Sequence, residues 1–158
     1  MSHLVLFVCT GNICRSPMAA ALFSFHAQNN RNDDHWIVRS AGTWAAEDQA
    51  ASAPAVTGMA RRGIQIANHR AHQITQGDME NADVIIVMTR NHRDSLVSEF
   101  PIHHSKIHLM SELDGREYDI ADPYGGTVEE YEICAKELER LIERGYDRVK
   151  QWAETDST

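Results

Sequence analysis

The sequence predicts an α/β fold, with a four-stranded parallel sheet covered by helices on both faces. Three observations lead there. Short apolar runs alternate with longer helical stretches along the chain. The runs are apolar at nearly every position, as strands buried on both faces are. No repeat, low-complexity tract or linker interrupts the 158 residues, so one domain spanning 1–158 is expected.

Leu4 to Val8 reads as the first strand, and Met18 to Ala27, rich in Ala, Leu and Phe, as the first helix. Trp36 to Ser40 is the second strand. A helix follows from Ser52 to Arg62, with Ser52 as N-cap, Pro54 in its first turn and Gly63 as its stop. Val84 to Met88 is the third strand, Asn91 to Phe100 a helix ended by Pro101, and Ile107 to Met110 the fourth strand. The last helix opens on a capping box of Thr127 and Glu130. Tyr131, Cys134, Leu138, Leu141, Ile142, Gly145, Val149 and Trp152 then recur at helical spacing on one apolar face, which makes Cys134 a core residue.

Composition narrows the function. Three cysteines are too few for a disulfide framework, so a thiol that matters here is catalytic or redox-active. A net charge of −8 argues against nucleic acid or an anionic membrane surface as partner. No apolar run approaches a membrane span, and the chain reads as cytoplasmic. His103, His104 and His108 lack metal-site spacing and read as a solvated loop.

The informative stretch is FVCTGNICRSP, Phe7 to Pro17, at the carboxyl end of the first strand. Ligands of parallel sheets bind at such ends. Ser16-Pro17 reads as a helix start, Ser16 as N-cap and Pro17 as first helical residue. The preceding loop would then lie over the positive end of a helix, which suits an anion. Gly11 is expected to permit a turn in which successive N–H groups face inward. Arg15 adds a planar fork matched to two phosphate oxygens. Cys9 would sit below the phosphorus, where these groups favour a thiolate. Attack would give a phosphocysteine for water to hydrolyse. The leaving oxygen needs an acid, and Asp122 in IADPYGG is the candidate. Its acidic neighbours Glu112, Asp114, Glu117 and Asp119, offset by Arg116, are expected to favour its protonated form.

CTGNICRSP followed by MAAALF, RSAGT, NHRAHQIT, ADVIIVMT and DPYGG resembles the low-molecular-weight protein tyrosine phosphatases over nearly the whole chain. The resemblance implies the flavodoxin-like fold of that family and no metal or cofactor. It implies Cys9 as nucleophile, Arg15 as phosphate ligand, and Asp122 as general acid and then base. Thr10, Gly11, Asn12, Ile13, Cys14 and Ser16 complete the phosphate loop, with Ser16 donating to the thiolate. Asn12, Ser40 and His69 match a network that holds the loop's shape. Cys14 matches a second loop cysteine that can pair with Cys9 on oxidation. The partner would be a phosphorylated protein, and a monomer is the expected state.

The chain departs from the family's pattern beside the pocket. Many members carry two adjacent aromatics after Asp-Pro, whereas here Tyr124 is followed by Gly125. Trp44, after RSAGT, is the candidate for an opposite wall. A related branch that dephosphorylates arginine shares CTGN and the Asp-Pro-aromatic-Gly-Gly loop but carries threonine where this chain has Ile13. Isoleucine can only pack, so Ile13 favours phosphotyrosine and Gly125 keeps phosphoarginine as the alternative. Arsenate reduction needs two further cysteines after the third strand, and residues 75–120 hold none. A phosphate-binding module without turnover would not need Cys9, Arg15 and Asp122 together.

Overall fold

A computed structural model describes residues 2–30 and 35–156. Four strands, β1 (His3–Cys9), β2 (Trp36–Gly42), β3 (Val84–Val87) and β4 (Ile107–Leu109), form one parallel sheet in the order β2-β1-β3-β4. Five helices accompany them among the described residues: α1 (Arg15–Asn30), α2 (Ala53–Ala60), α3 (Gln76–Asn81), α4 (Arg90–Glu99) and α5 (Val128–Asp156). All the strands and the four helices read from the sequence are present, with ends moved by a few residues. The short helix α3 was not anticipated, because six residues with one buried side chain carry little periodicity. Two 3-10 segments, Pro101–Lys106 and Met110–Asp114, flank β4.

The pleat of β1 divides the core. Val5, Phe7 and Cys9 face one layer with Val84, Ile86 and the apolar faces of α1 and α5. Leu6 and Val8 face the other with Ile85, Val87, Met79 of α3 and Leu96 of α4. This two-sided burial is why the runs of β1 and β3 are continuously apolar, whereas the edge strand β2 alternates and leaves Ile37 and Arg39 exposed. In the first layer Phe23 sits edge-on to Trp36 at 5.0 Å and stacks on Tyr146 at 5.4 Å. The Trp36 indole donates to the Tyr146 hydroxyl at 2.8 Å, which ties β2 to α5 and satisfies both polar tips.

Two helix starts differ from expectation. α1 begins at Arg15, and its first turn closes with Met18 N–H donating to the Cys14 carbonyl at 3.2 Å. Cys14 therefore occupies the N-cap, and Ser16 and Pro17 lie inside the first turn. Ser16 is released from capping because its hydroxyl is used in the loop network described below. Ser52 does sit at the N-cap of α2, but its side chain makes no cap bond. Its hydroxyl instead donates to Tyr131 at 3.1 Å. The Thr127–Glu130 box of α5 is formed, with Glu130 N–H to Thr127 Oγ1 at 3.2 Å.

The order β2-β1-β3 means the chain leaves β1 in one direction and later returns on its other side. The crevice this reversal opens lies at the carboxyl end of β1, where Cys9 ends the strand.

Gly145 lets α5 press against the segment after β4, since a Cβ there would lie 2.4 Å from Leu113 Cβ and 2.7 Å from its carbonyl oxygen. Gly145→Ala should therefore destabilise the protein by about 1–3 kcal/mol through overpacking, against a helix-propensity gain of about 1 kcal/mol. Gly58→Ala in α2, where an added Cβ meets nothing within 4 Å, should instead stabilise it by up to about 1 kcal/mol. Urea unfolding of both variants reads the contrast, and matching shifts would contradict the close contact.

Candidate active site

Residues Cys9 to Arg15 connect β1 to α1, and the loop's shape rests on one residue. Asn12 adopts φ 58°, in the left-handed region, and is fully buried. Gly11 is not among the left-handed glycines, so the turn expected of it falls to Asn12 instead. Asparagine tolerates this conformation when its short side chain finds local partners. Here Nδ2 donates to Ser16 Oγ at 2.8 Å and to Ser40 Oγ at 2.9 Å, and Oδ1 accepts from His72 N–H at 2.9 Å. The Asn12 carbonyl contacts His69 Nε2 at 2.7 Å. Burial lowers the pKa of His69, the Asn12 bond opposing it. Ser40 and His69 thus both contact Asn12, and the backbone of His72 is an additional support that no side-chain motif could reveal.

The neighbouring RSAGT segment docks by backbone. Thr43 N–H donates to the Cys9 carbonyl and Trp44 N–H to the Thr10 carbonyl, each at 2.9 Å. Gly42 makes this approach possible, because a Cβ there would lie 2.3 Å from the Thr10 oxygen.

Cys9 is buried, and its Sγ lies 2.9 Å from Ser16 Oγ. Ser16 accepts from Asn12, and its own proton has two acceptors in reach, Sγ and the Ala41 carbonyl at 3.4 Å. A thiolate at Cys9 would draw that proton to the shorter contact. Arg15 is 4% exposed. Its Nη1 donates to the Ile120 carbonyl at 2.9 Å and its Nη2 faces Asp122 Oδ2 at 3.5 Å, while its buried Nε has no partner among the described residues.

Asp122 follows a segment anchored at both ends. Ile120 N–H bonds the Met88 carbonyl beyond β3, and Asp119 accepts from Arg90 N–H and Nε. Asp122 Oδ1 accepts from Tyr124 N–H at 3.1 Å, and a turn closes from Gly126 N–H to the Pro123 carbonyl at 2.8 Å. Gly125 occupies that turn at φ 79°, a position unfavourable to a second aromatic. The acidic neighbours do not form the like-charge surroundings expected from the sequence. Asp114 is held by Arg116, Arg140 and Arg144, and Glu117 by Arg93. Apart from Arg116, the arginines that pair these carboxylates are distant in sequence, and Asp122 faces Arg15 instead.

One cavity of about 220 Å3 is bordered by Cys9, Thr10, Gly11, Ile13, Cys14, Arg15, Asp122 and Tyr124. Trp44 is absent from this lining, and its side chain is 85% exposed. Cys14 lies beneath the loop, its Sγ 3.1 Å from Tyr131 Oη and 3.4 Å from Ser52 Oγ. Burial raises the pKa of its thiol. Burial likewise pushes Cys134 up to about 12, in keeping with a core thiol. Sequence reading missed His92, which contacts Thr10 across 82 residues of chain.

The sequence and fold have close relatives. The protein-arginine-phosphatase of Geobacillus stearothermophilus is 41% identical over 151 residues, spanning 95% of this chain and 98% of that protein. The crystal structure of a low molecular weight protein tyrosine phosphatase from T. tengcongensis superposes with TM-score 0.87 at 39% identity, covering 92% of this chain and 99% of that one. A mutant of YwlE arginine phosphatase with a phosphorylated active-site serine superposes with TM-score 0.87 at 33% identity, covering 94% and 96%. The family described as low molecular weight phosphotyrosine protein phosphatase matches residues 4–154, and the chain belongs to it.

Proposed function

We propose that the protein hydrolyses phosphotyrosine in phosphorylated proteins through a phosphocysteine on Cys9. The observation that carries this reading is the single cavity that brings Cys9, Arg15 and Asp122 together. The phosphoryl group enters with its oxygens toward the loop and the unpartnered Arg15 Nε. The Cys9 thiolate attacks phosphorus, the bond to the tyrosyl oxygen breaks, and Asp122 gives that oxygen its proton. Asp122 then takes a proton from water as it attacks phosphorus, releasing inorganic phosphate and the thiolate. Arg15 and the loop N–H groups stabilise the equatorial oxygens in both steps. Thr10, Gly11, Asn12, Ile13, Cys14 and Ser16 form the cradle, Ser40 and His69 support it, and Tyr124, which borders the cavity where the exposed Trp44 does not, flanks the incoming ring.

Ile13 supports tyrosine as the substrate. It borders the cavity and packs against the core, and it offers an aryl ring apolar surface with no hydroxyl to meet a guanidinium. Phosphoarginine is the second reading, favoured by the 41% identity to an arginine phosphatase and by Gly125 beside Tyr124. We place the protein in the cytosol, acting apart from nucleic acid and anionic membrane surfaces, on its low cysteine count and net charge of −8. We also propose redox protection: hydrogen peroxide transfers an oxygen to the Cys9 thiolate, giving a sulfenic acid and hydroxide, and the Cys14 thiol then attacks that sulfur and displaces water to form a disulfide.

Cys9→Ser should abolish turnover of a phosphotyrosine peptide, by more than about 10³-fold, while inorganic phosphate still binds. Asp122→Asn should lower kcat by about 10²–10⁴-fold. Phosphate binding without any loss of turnover in Cys9→Ser would overturn the mechanism. On matched phosphotyrosine and phosphoarginine peptides, kcat/KM should favour phosphotyrosine, and Ile13→Thr should narrow the ratio by at least about tenfold, the scale of one pocket contact. A wild-type preference for phosphoarginine would select the second reading. Mass mapping after mild peroxide should find a Cys9–Cys14 link, and sulfonic acid at Cys9 alone would refute the protective role.

A further inference from the structure

His92 is 5% exposed and plays no part in the mechanism above. It lies in the first turn of α4 with both ring nitrogens engaged. Thr89 N–H, the N-cap amide, points at Nδ1 at 3.1 Å. A backbone N–H only donates, so Nδ1 accepts and carries no proton. The neutral ring therefore holds its proton on Nε2, which lies 2.8 Å from Thr10 Oγ1. Protonating Nδ1 would set two N–H groups against each other. Burial, and then the positive charge of Arg15, pushes the His92 pKa down to about 4, so the ring stays neutral across the neutral pH range.

The consequence falls on Thr10. Its oxygen accepts from His92, so its own proton must point along a remaining tetrahedral direction. No acceptor for that proton is found among the described residues, and Thr10 borders the cavity that holds Cys9, Arg15 and Asp122. A phosphoryl group brings acceptor oxygens to that place. We propose that the Thr10 hydroxyl is a further donor to the phosphoryl group, with His92 a positioning residue that fixes its rotor and polarises its proton. This rests on the phosphatase reading above. A hydroxyl already held at its oxygen loses little freedom on binding substrate, and the chain from imidazole to hydroxyl to phosphoryl oxygen strengthens each bond in it. The duller role for His92, capping α4 alone, uses Nδ1 and leaves the Nε2 contact without purpose.

The two roles separate by substitution. Asparagine at 92 puts an amide oxygen in the place of Nδ1 and keeps the cap, but loses the donor to Thr10. Glutamine places an amide N–H near Nε2 and keeps that donor, but loses the cap. The readouts are the inhibition constant of inorganic phosphate and kcat/KM for 4-nitrophenyl phosphate. Thr10→Val should raise the phosphate constant and lower kcat/KM by about tenfold, and Thr10→Ser, which restores the hydroxyl, should recover most of that loss. His92→Asn should match Thr10→Val, and His92→Gln should recover most of the loss. The double variant Thr10→Val with His92→Asn should be no worse than Thr10→Val alone. Equal phosphate constants for Thr10→Val and wild type would overturn the proposal, as would His92→Gln being weaker than His92→Asn or multiplicative losses in the double variant. If the His92 variants do not fold, the valine–serine comparison at Thr10 decides by itself. Turnover retained in Cys9→Ser would instead remove the phosphatase reading, which distinguishes the two failures.

Discussion

The left-handed backbone at Asn12 is the constraint on which the site depends. A non-glycine residue pays for that conformation with roughly 1 kcal/mol or more, and it persists only where its surroundings enforce it. Here enforcement comes from Ser16, Ser40 and the backbone of His72 on the side chain, and from His69 on the carbonyl. Ser16 touches both Asn12 and Cys9, so the group that steadies the loop also contacts the nucleophile. Loop shape and the placement of Cys9 are thereby one arrangement, and a change at Asn12 or Ser16 disturbs both.

The second feature is the way positive charge is brought into an acidic protein. A net charge of −8 repels a phosphorylated substrate at long range. Most carboxylates in the segment that leads to Asp122 are tied to arginines: Asp114 to three of them, Glu117 to Arg93, Asp119 to Arg90. Arg15 is buried, anchored by the Ile120 carbonyl, and turned toward the cavity with one nitrogen unpartnered. In that low-dielectric setting its charge acts on a bound anion with little screening. Attraction is thus local to the cavity.

Much of this was legible in the chain. Continuous apolar runs gave β1 and β3 because both faces of these central strands are buried, and the 3.6-residue stripe of α5 gave the longest helix. Cys9, Arg15 and Asp122 could be named because each carries its chemistry in its side chain. What escaped was set by the loop's own backbone shape and by partners remote in sequence. Ser16 read as a cap, although the family resemblance already paired its hydroxyl with Cys9, and Gly11 read as the turn residue in the place that Asn12 takes. The acidic surroundings of Asp122 dissolved into ion pairs with α4 and α5. His92 went unnoticed because a histidine in a short polar helix has no local signature.

The supports of Asn12 have a consequence for how activity arises during folding. They come from residues 28, 57 and 60 positions along the chain, and Thr10 is reached from 82 positions away. No fragment that contains only β1, the loop and α1 can hold Asn12 in place. The loop closes only after β2, the segment through His72, and α4 have assembled around it. Parallel pairings of this separation form late, since their loop-closure entropy must be met first. Recovery of hydrolysis after dilution from denaturant is therefore a readout of completed tertiary structure, arriving after secondary structure is in place.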